Sequence, residues 1–491
     1  MRLRDVVIGL DIGTTSVKAV LFTTEGKLIL DAEEMITTDH PQQGWAEQDP
    51  AKIEQSTMLA LKRVVSQLKP NEDNLLAIGL STAMHSLICM NQNKQALSDM
   101  IIWSDGRSTP QAEILKQGVG NEIYSKTGTP IHPMSPFVKL VWLKETGYEA
   151  YENAAYFMSM KEYLIWKWFD KRLIDFAMAS ATGLFNVKNH DWDESALEIA
   201  GIGREQLSEI VAPDTVLTNL APEIAEEIGI RADLPFVIGS ADGQFANLGD
   251  GAILPGEVAI SVGTSGAIRQ FTTGAPVDPA RATFTYAFTE ALSIIGGPTN
   301  NGGIVLQWLK DIIEFDGTHE QLIAGAETIE PGADGIIFLP YVNGERAPIW
   351  NQRARGNFFG LSIEHRKEHL VRAVLEGIAF NVYHIGKSLE RLAGEPTRIC
   401  VNGGLSQSEL WVQILANIFG KEIHLSETHQ GVAWGAAWTA LVGIGKVDSY
   451  ASIKDNIPIR KVIQPQLDQH ETYAELYQKY EMISKDLAKY F

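Results

Sequence analysis

The stretch Val6-Val7-Ile8-Gly9-Leu10-Asp11-Ile12-Gly13-Thr14-Thr15-Ser16-Val17-Lys18-Ala19-Val20-Leu21-Phe22 decides how the rest of this 491-residue chain is read. Val6 to Asp11 reads as a short apolar strand, Gly13-Thr14-Thr15 as a tight turn and Ser16 to Phe22 as a second strand, with Gly26 placed for the next hairpin. In such a turn successive N–H groups and hydroxyls converge, and glycine lacks the Cβ that would block a close approach, so the turn suits a phosphate. Asp11 stands beside it. A carboxylate repels phosphate unless a cation lies between them, so Asp11 before Gly13-Thr14 points to a metal-bridged nucleotide, with Lys18 as compensating charge.

The same pattern returns later. Val262-Gly263-Thr264-Ser265-Gly266 lies between apolar runs at Val258 to Ser261 and Ala267 to Phe271, about one domain length further on. Gly249, Gly251, Pro255 and Gly256 punctuate the chain just before this second copy and suit a boundary or hinge. The expected domains are therefore residues 1–249 and 250–491. Between the copies, Asp49-Pro50 starts a helix, Leu75 to Leu80 is a strand, and strand and helix signals alternate as in an α/β domain. After the second copy come a long helix marked by Leu370, Val374, Ile378, Val382, Ile385 and Leu389, and a final amphipathic helix over Glu471 to Phe491.

Two further segments carry chemistry. Asp242, in Gly239-Ser240-Ala241-Asp242-Gly243-Gln244, follows an apolar strand, and strand ends of α/β folds line ligand crevices. A carboxylate there can take the proton of a substrate hydroxyl during phosphoryl transfer, or simply cap a helix. Asn402-Gly403-Gly404 follows the strand Arg398 to Val401 and lets backbone approach a flat or anionic ligand. Gly296-Gly297-Pro298 through Asn301-Gly302-Gly303 leads into a helix holding Gln307 and Trp308. Two look-alikes fail. Gly386-Lys387-Ser388 lies inside the long helix with Asn381 where a P-loop needs glycine, and His365-Arg366-Lys367-Glu368-His369 reads as a solvated charged face without a third metal ligand.

Composition sets the outer limits. A net charge of −20 repels nucleic acid and anionic lipid, and no apolar run reaches the roughly 18 residues of a membrane span. Cys89 and Cys400 both have apolar neighbours and suit reduced core thiols, and Asp11 interrupts the first apolar run too early for a signal peptide, so a cytoplasmic protein is expected. An anionic nucleotide then needs a site built from backbone N–H groups and a cation.

These segments, taken with Trp103-Ser104-Asp105-Gly106-Arg107, Asp175 to Thr182 and Gly344-Glu345-Arg346-Ala347-Pro348, resemble the FGGY carbohydrate kinases of the actin, hexokinase and Hsp70 superfamily over nearly the whole chain. The resemblance implies two actin-like, ribonuclease-H-like α/β domains with an interdomain cleft, the first carrying the sugar site and the second much of the nucleotide site. It implies Asp242 as catalytic base and Asp11 as the carboxylate helping to hold Mg2+, with Asp242 close enough to share it. ATP and Mg2+ are the implied cofactors. Gly13, Thr14, Thr15, Gly263 and Thr264 fall on phosphate turns, with Gly403 beside the nucleoside platform. Gly303, Gln307, Gly404 and Ser408 match adenosine positions, although glycerol kinases have Asn where Ser408 stands. Met84-His85 matches the xylulose kinases and departs from the Arg-Glu of glycerol kinases.

Ser81 to Ser86, Thr127 to Met134 and Gly297 to Gly303 resemble the bacterial gluconate kinases in particular, which adds Met134 to Met84, His85 and Asp242 as substrate contacts. A sugar acid asks for a cation, and Arg107, Lys139, Lys161 and Arg346 are all candidates. Xylulose kinase is the alternative substrate reading, and an actin-like or Hsp70-like ATPase the more distant one. The expected partner is a small sugar or sugar acid, without nucleic acid or membrane, and a homodimer is left open.

Overall fold

The computed structural model describes residues 3–426 and 430–491. Each half of the chain builds one mixed sheet, and the two sheets share a strand order. In the first, β1 (Arg4–Ile12), β2 (Ser16–Thr23) and β3 (Leu28–Met35) form consecutive antiparallel pairs, while β4 (Asp73–Thr82) runs parallel to β1 on its other side. The short β5 (Val216–Leu217) and β6 (Phe236–Ala241) complete the order β5-β6-β4-β1-β2-β3. The second sheet holds β7 (Glu257–Val262), β8 (Gly266–Thr273), β9 (Phe284–Ala287), β10 (Leu292–Thr299), β11 (Arg398–Asn402), β12 (Ile423–Ser426) and β13 (Ile459–Ile463). Its order is β9-β10-β8-β7-β11-β12-β13. The walks β3-β2-β1-β4-β6 and β10-β8-β7-β11-β12 match: two antiparallel steps, then two parallel ones. The chain is a duplicated ribonuclease-H-like α/β fold of the actin-like kind, and the repeated Gly-Thr turn is the sequence trace of that duplication.

Local chemistry sets the helices. In α1 (Pro50–Val65), Asp49 accepts from the Ala51 N–H at 2.9 Å, Pro50 occupies the first turn, and Ile53, Ala60, Leu61 and Val64 form the buried stripe. Asp242 opens α2 (Asp242–Gly249), directly after β6. α3 (Gly303–Ile312) follows β10, and α4 (Lys367–Ala393) carries the long apolar stripe along the second core. The charged run entering α4 is solvated as expected at Arg366 and Lys367, and departs from that only at its last residue. His369 is buried, with Nδ1 accepting from the Arg366 N–H at 3.1 Å and Nε2 donating to Asp334 at 3.0 Å, because Asp334 closes over the helix entrance.

α5 (Glu409–Phe419) packs on α4, and α6 (Gly431–Gly443) crosses back to cover β1 and β4 of the first sheet. α6 is apolar all round, as a helix with no solvent face must be, with Trp434 and Trp438 buried. Its backbone touches the sheet where two glycines open space: a Cβ at Gly9 would lie 1.8 Å from the Ala433 carbonyl oxygen, and one at Gly79 2.0 Å from that of Ala436. α7 (Leu467–Leu487) closes the chain against the second core. Among the described residues no helix is long and apolar enough to cross a membrane.

Candidate active site

Register brings the two aspartates together. Ile12 pairs with Thr82 and Thr82 with Ala241, so β1, β4 and β6 end on one line, with Asp11 just before that line and Asp242 just after it. Asp11 accepts a hydrogen bond from the Ser81 hydroxyl at 3.3 Å and lies across from Lys18 on β2. Burial first, then the charge of Asp242, push the Asp11 carboxyl up to about 7. Asp242 does not cap α2, since Ala241 holds the cap position. One of its oxygens accepts from the Gly243 N–H at 2.8 Å. Burial raises its pKa, and Arg269 pulls it part of the way back.

Two carboxylates close enough that the charge of Asp242 raises Asp11 fit a hard divalent cation, which takes few protein oxygens and keeps water and phosphate for the rest. Among the described residues no larger cluster of acidic, His or Cys side chains offers a competing metal site.

The aspartates separate two cavities. The first, of about 390 Å³, is walled by Met84, His85, Trp103 and Met134 from the first half and by Arg269 and Tyr286 from the second, with Asp242 at its floor. The second, of about 410 Å³, holds Asp11, Lys18, Asp250, Asn402, Gly403 and Gly404. Ser261, near the end of β7, borders both. Gly263 and Thr264 open into the first cavity, and nothing lies within 4 Å of where a Gly263 Cβ would stand. Thr14 faces them across the gap, its hydroxyl accepting from Trp103 Nε1 at 3.4 Å. One cavity therefore suits an acceptor molecule and the other a nucleotide, with both Gly-Thr turns and both carboxylates where they meet.

Other sequence candidates have local tasks. Gly13 closes its turn by donating to Ser16 at 3.0 Å, and Thr15 is exposed. The Gly303 N–H donates to the Gly263 carbonyl at 2.6 Å, and a Cβ there would come within 2.9 Å of that oxygen, so Gly303 braces the second turn. Gln307 donates to Asp311 at 2.6 Å on the outer side of α3. Ser408 caps α5, its hydroxyl accepting from the Trp411 N–H at 3.2 Å. None of Thr15, Gly303, Gln307 and Ser408 borders either cavity.

The four candidate cations separate cleanly. Arg107 is bound to Asp105 at 2.9 and 2.8 Å and to Glu47 at 2.6 Å, stacked on Trp45. Lys139 gives its ammonium protons to the carbonyls of His85, Ile102 and Ile101 at 2.5, 2.9 and 3.3 Å. Lys161 is paired with Asp175 at 2.7 Å and bonded to the Ser240 carbonyl at 2.8 Å. These three support the walls. Arg346 alone faces the first cavity, beside Trp103. Sequence reasoning missed Arg269, Tyr286 and Asp250. The available signal was an arginine in the strand Ala267 to Phe271, directly after a phosphate turn.

Comparison with known proteins agrees with this arrangement. The model for the N-terminal domain of the FGGY family of carbohydrate kinases matches residues 6–249, and that for the C-terminal domain residues 258–444. A gluconokinase from Bacillus subtilis is 40% identical over 465 residues, covering 92% of this chain and 90% of its own. Two solved structures from Lactobacillus acidophilus, one described as a gluconate kinase and the other as a ligand-bound xylulose kinase, each superimpose with a TM-score of 0.96 at 34% identity. Each alignment covers 99% of this chain and 98% of the other. The duplicated fold, the paired Gly-Thr turns, the facing aspartates and these matches together establish that the chain belongs to the FGGY family of carbohydrate kinases.

Proposed function

We propose that the protein transfers the γ-phosphoryl group of ATP to the 6-hydroxyl of D-gluconate. The observation that carries the transfer step is Asp242 on the floor of the acceptor cavity, facing Asp11 and both phosphate turns. The choice of gluconate draws on the likeness to the B. subtilis gluconokinase and the L. acidophilus gluconate kinase. In this reading the first half, residues 1–249, supplies the base and much of the acceptor wall, and residues 250–491 supply the nucleotide platform around Gly403 and Gly404.

The acceptor hydroxyl attacks the γ-phosphorus as the bond to the ADP oxygen breaks, and its proton passes to Asp242 late in the transfer. Burial of Asp242 raises its affinity for that proton, and the charge of Arg269 acts in the other direction. Thr14 and the Gly263-Thr264 backbone donate to the transferring group from opposite sides. Asp11 and Asp242 are the residues to hold Mg2+, which when bound neutralises phosphate charge. Closure of the two halves expels water and so suppresses hydrolysis of ATP.

Xylulose is the second reading, favoured by the L. acidophilus xylulose kinase structure and by Met84-His85 at the cavity wall. The deciding experiment is ADP release with Mg2+ and ATP against gluconate, xylulose, ribulose and glycerol. Selective release with gluconate supports the proposal, selective release with xylulose replaces the substrate, and release without any acceptor overturns the kinase reading.

A further inference from the structure

The acceptor cavity contains two cations, Arg269 and Arg346, neither of which is held in an ion pair among the described residues. Arg269 on β8 pairs in register with Gly296 on β10, which pairs with Phe284 on β9. Gly296 leaves the middle of that row empty, so the Arg269 stem and the Phe284 ring close over it: a Cβ there would lie 3.0 Å from Arg269 Cγ and 2.8 Å from Phe284 Cζ. The guanidinium extends over Gly243, where a Cβ would stand 3.2 Å from Arg269 Nε. Tyr286, two residues beyond Phe284 and stacked on it at 4.3 Å, points to the same face. Arg346 enters from the opposite wall, over the Trp103 ring at 5.1 Å, with one nitrogen donating to the Thr299 carbonyl at 3.2 Å.

What these groups lack is the telling part. Among the described residues the Arg269 side chain makes no hydrogen bond and no close ion pair, although the charges of Asp242 and Asp250 act on it, while Arg346 Nε is buried without an acceptor and so is the hydroxyl of Tyr286, which is 1% exposed. Burial, together with the like charge of Arg269, holds the Arg346 guanidinium down to about 10, although Glu345 acts in the other direction. Two like charges and a buried phenol hydroxyl, with donors left unused at one cavity, form a set that an anion completes.

We propose that Arg269, Arg346 and the Tyr286 hydroxyl together receive the carboxylate of the substrate, and so select a sugar acid over a neutral sugar. This rests on the kinase reading above and adds to it the device that reads the acid group. The transferring phosphoryl is the other anion these groups could meet. It is already served by the Gly-Thr turns and the aspartates, whereas Arg346 borders the cavity with His85 and Tyr286 and its charge acts on both.

The test compares gluconate with glucitol, which carries CH2OH in place of the carboxylate, using ADP release and treating glucitol as substrate or competitive inhibitor. In Arg346→Met the preference for gluconate over glucitol, read as the ratio of KM to KM or Ki, falls roughly 10²-fold, and in the near-isosteric Tyr286→Phe roughly 10-fold. Loss of kcat with both compounds alike would assign the arginine to the phosphoryl group and overturn the proposal, as would an unchanged ratio in Tyr286→Phe. Failure of the underlying reading looks different: the wild-type protein would then release ADP with xylulose and not with gluconate.

Discussion

Asp250 offers a quantitative check on the electrostatics of the nucleotide side. Its carboxylate is 1% exposed at the end of α2, bonded by the Asn402 amide and by the Ser426 hydroxyl, the latter at 3.2 Å. Burial nonetheless pushes its pKa up to about 7. An unfolded aspartate releases its proton near pH ~4, so between about 4 and about 7 the native state binds more protons than the unfolded chain. Stability therefore falls as pH rises through that window and is level above it. About 3 pKa units at ~1.4 kcal/mol each put the ceiling near ~4 kcal/mol.

Asp250→Asn removes this cost, and the site can accept the amide. Its oxygen still receives the Asn402 amide, and the Ser426 hydroxyl can turn to accept from the new NH2. Weaker neutral hydrogen bonds take back about 1 kcal/mol, leaving a gain of ~2–3 kcal/mol at pH 8 and close to none at pH 5. Thermal melts of both proteins at the two pH values, without nucleotide, measure it. The variant should melt several degrees above wild type at pH 8 and within a degree or two at pH 5. An equal difference at both pH values, or a less stable variant at pH 8, would refute the reasoning.

Asp242→Asn should lower kcat roughly 10²-fold to 10⁴-fold and leave ATP binding, followed by calorimetry, nearly intact. Gly9→Val forces a branched side chain into the Ala433 carbonyl, which a Cβ would already approach to 1.8 Å, and the resulting overpacking, at about 3 kcal/mol or more, should appear as a lower Tm and poor soluble yield. Lys161→Met leaves buried Asp175 without its partner and should cost about 3–5 kcal/mol in denaturant melts, while Lys161→Arg should recover part of that loss.

The parts of the site legible in the sequence are those fixed by short-range chemistry. A Gly-Thr turn between two strands needs only about ten neighbouring residues to be recognised, and Asp11 and Asp242 are marked by their place at strand ends. Duplication could be read because both turns kept the pattern. The cations could not be ranked, because what distinguishes them lies far away in sequence: Glu47 for Arg107, the carbonyls of Ile101 and Ile102 for Lys139, and Asp175 with Ser240 for Lys161. Arg269 shows the reverse. Its significance is a set of unused donors at a cavity, which is visible only when the surrounding groups have been placed. Ser408 and Gln307 each have a structural partner within their own helix, which sequence position does not reveal.

The return of α6 to the first sheet has a consequence for synthesis of the chain. β4 ends at Thr82 and α6 begins at Gly431, about 350 residues later. At ~5–20 residues per second the ribosome needs roughly 20–70 s to make that interval. Throughout it, the glycine-lined face of β1 and β4 waits without its cover, and so does the apolar surface around Val7, Val20 and Ala77. The nascent first half thus resembles an open mould whose plug is cast last. A ribosome stalled beyond residue 250 would hold a fragment with native strand order and an unsealed core, which makes the first half a client for chaperones during translation and a poor candidate for expression by itself.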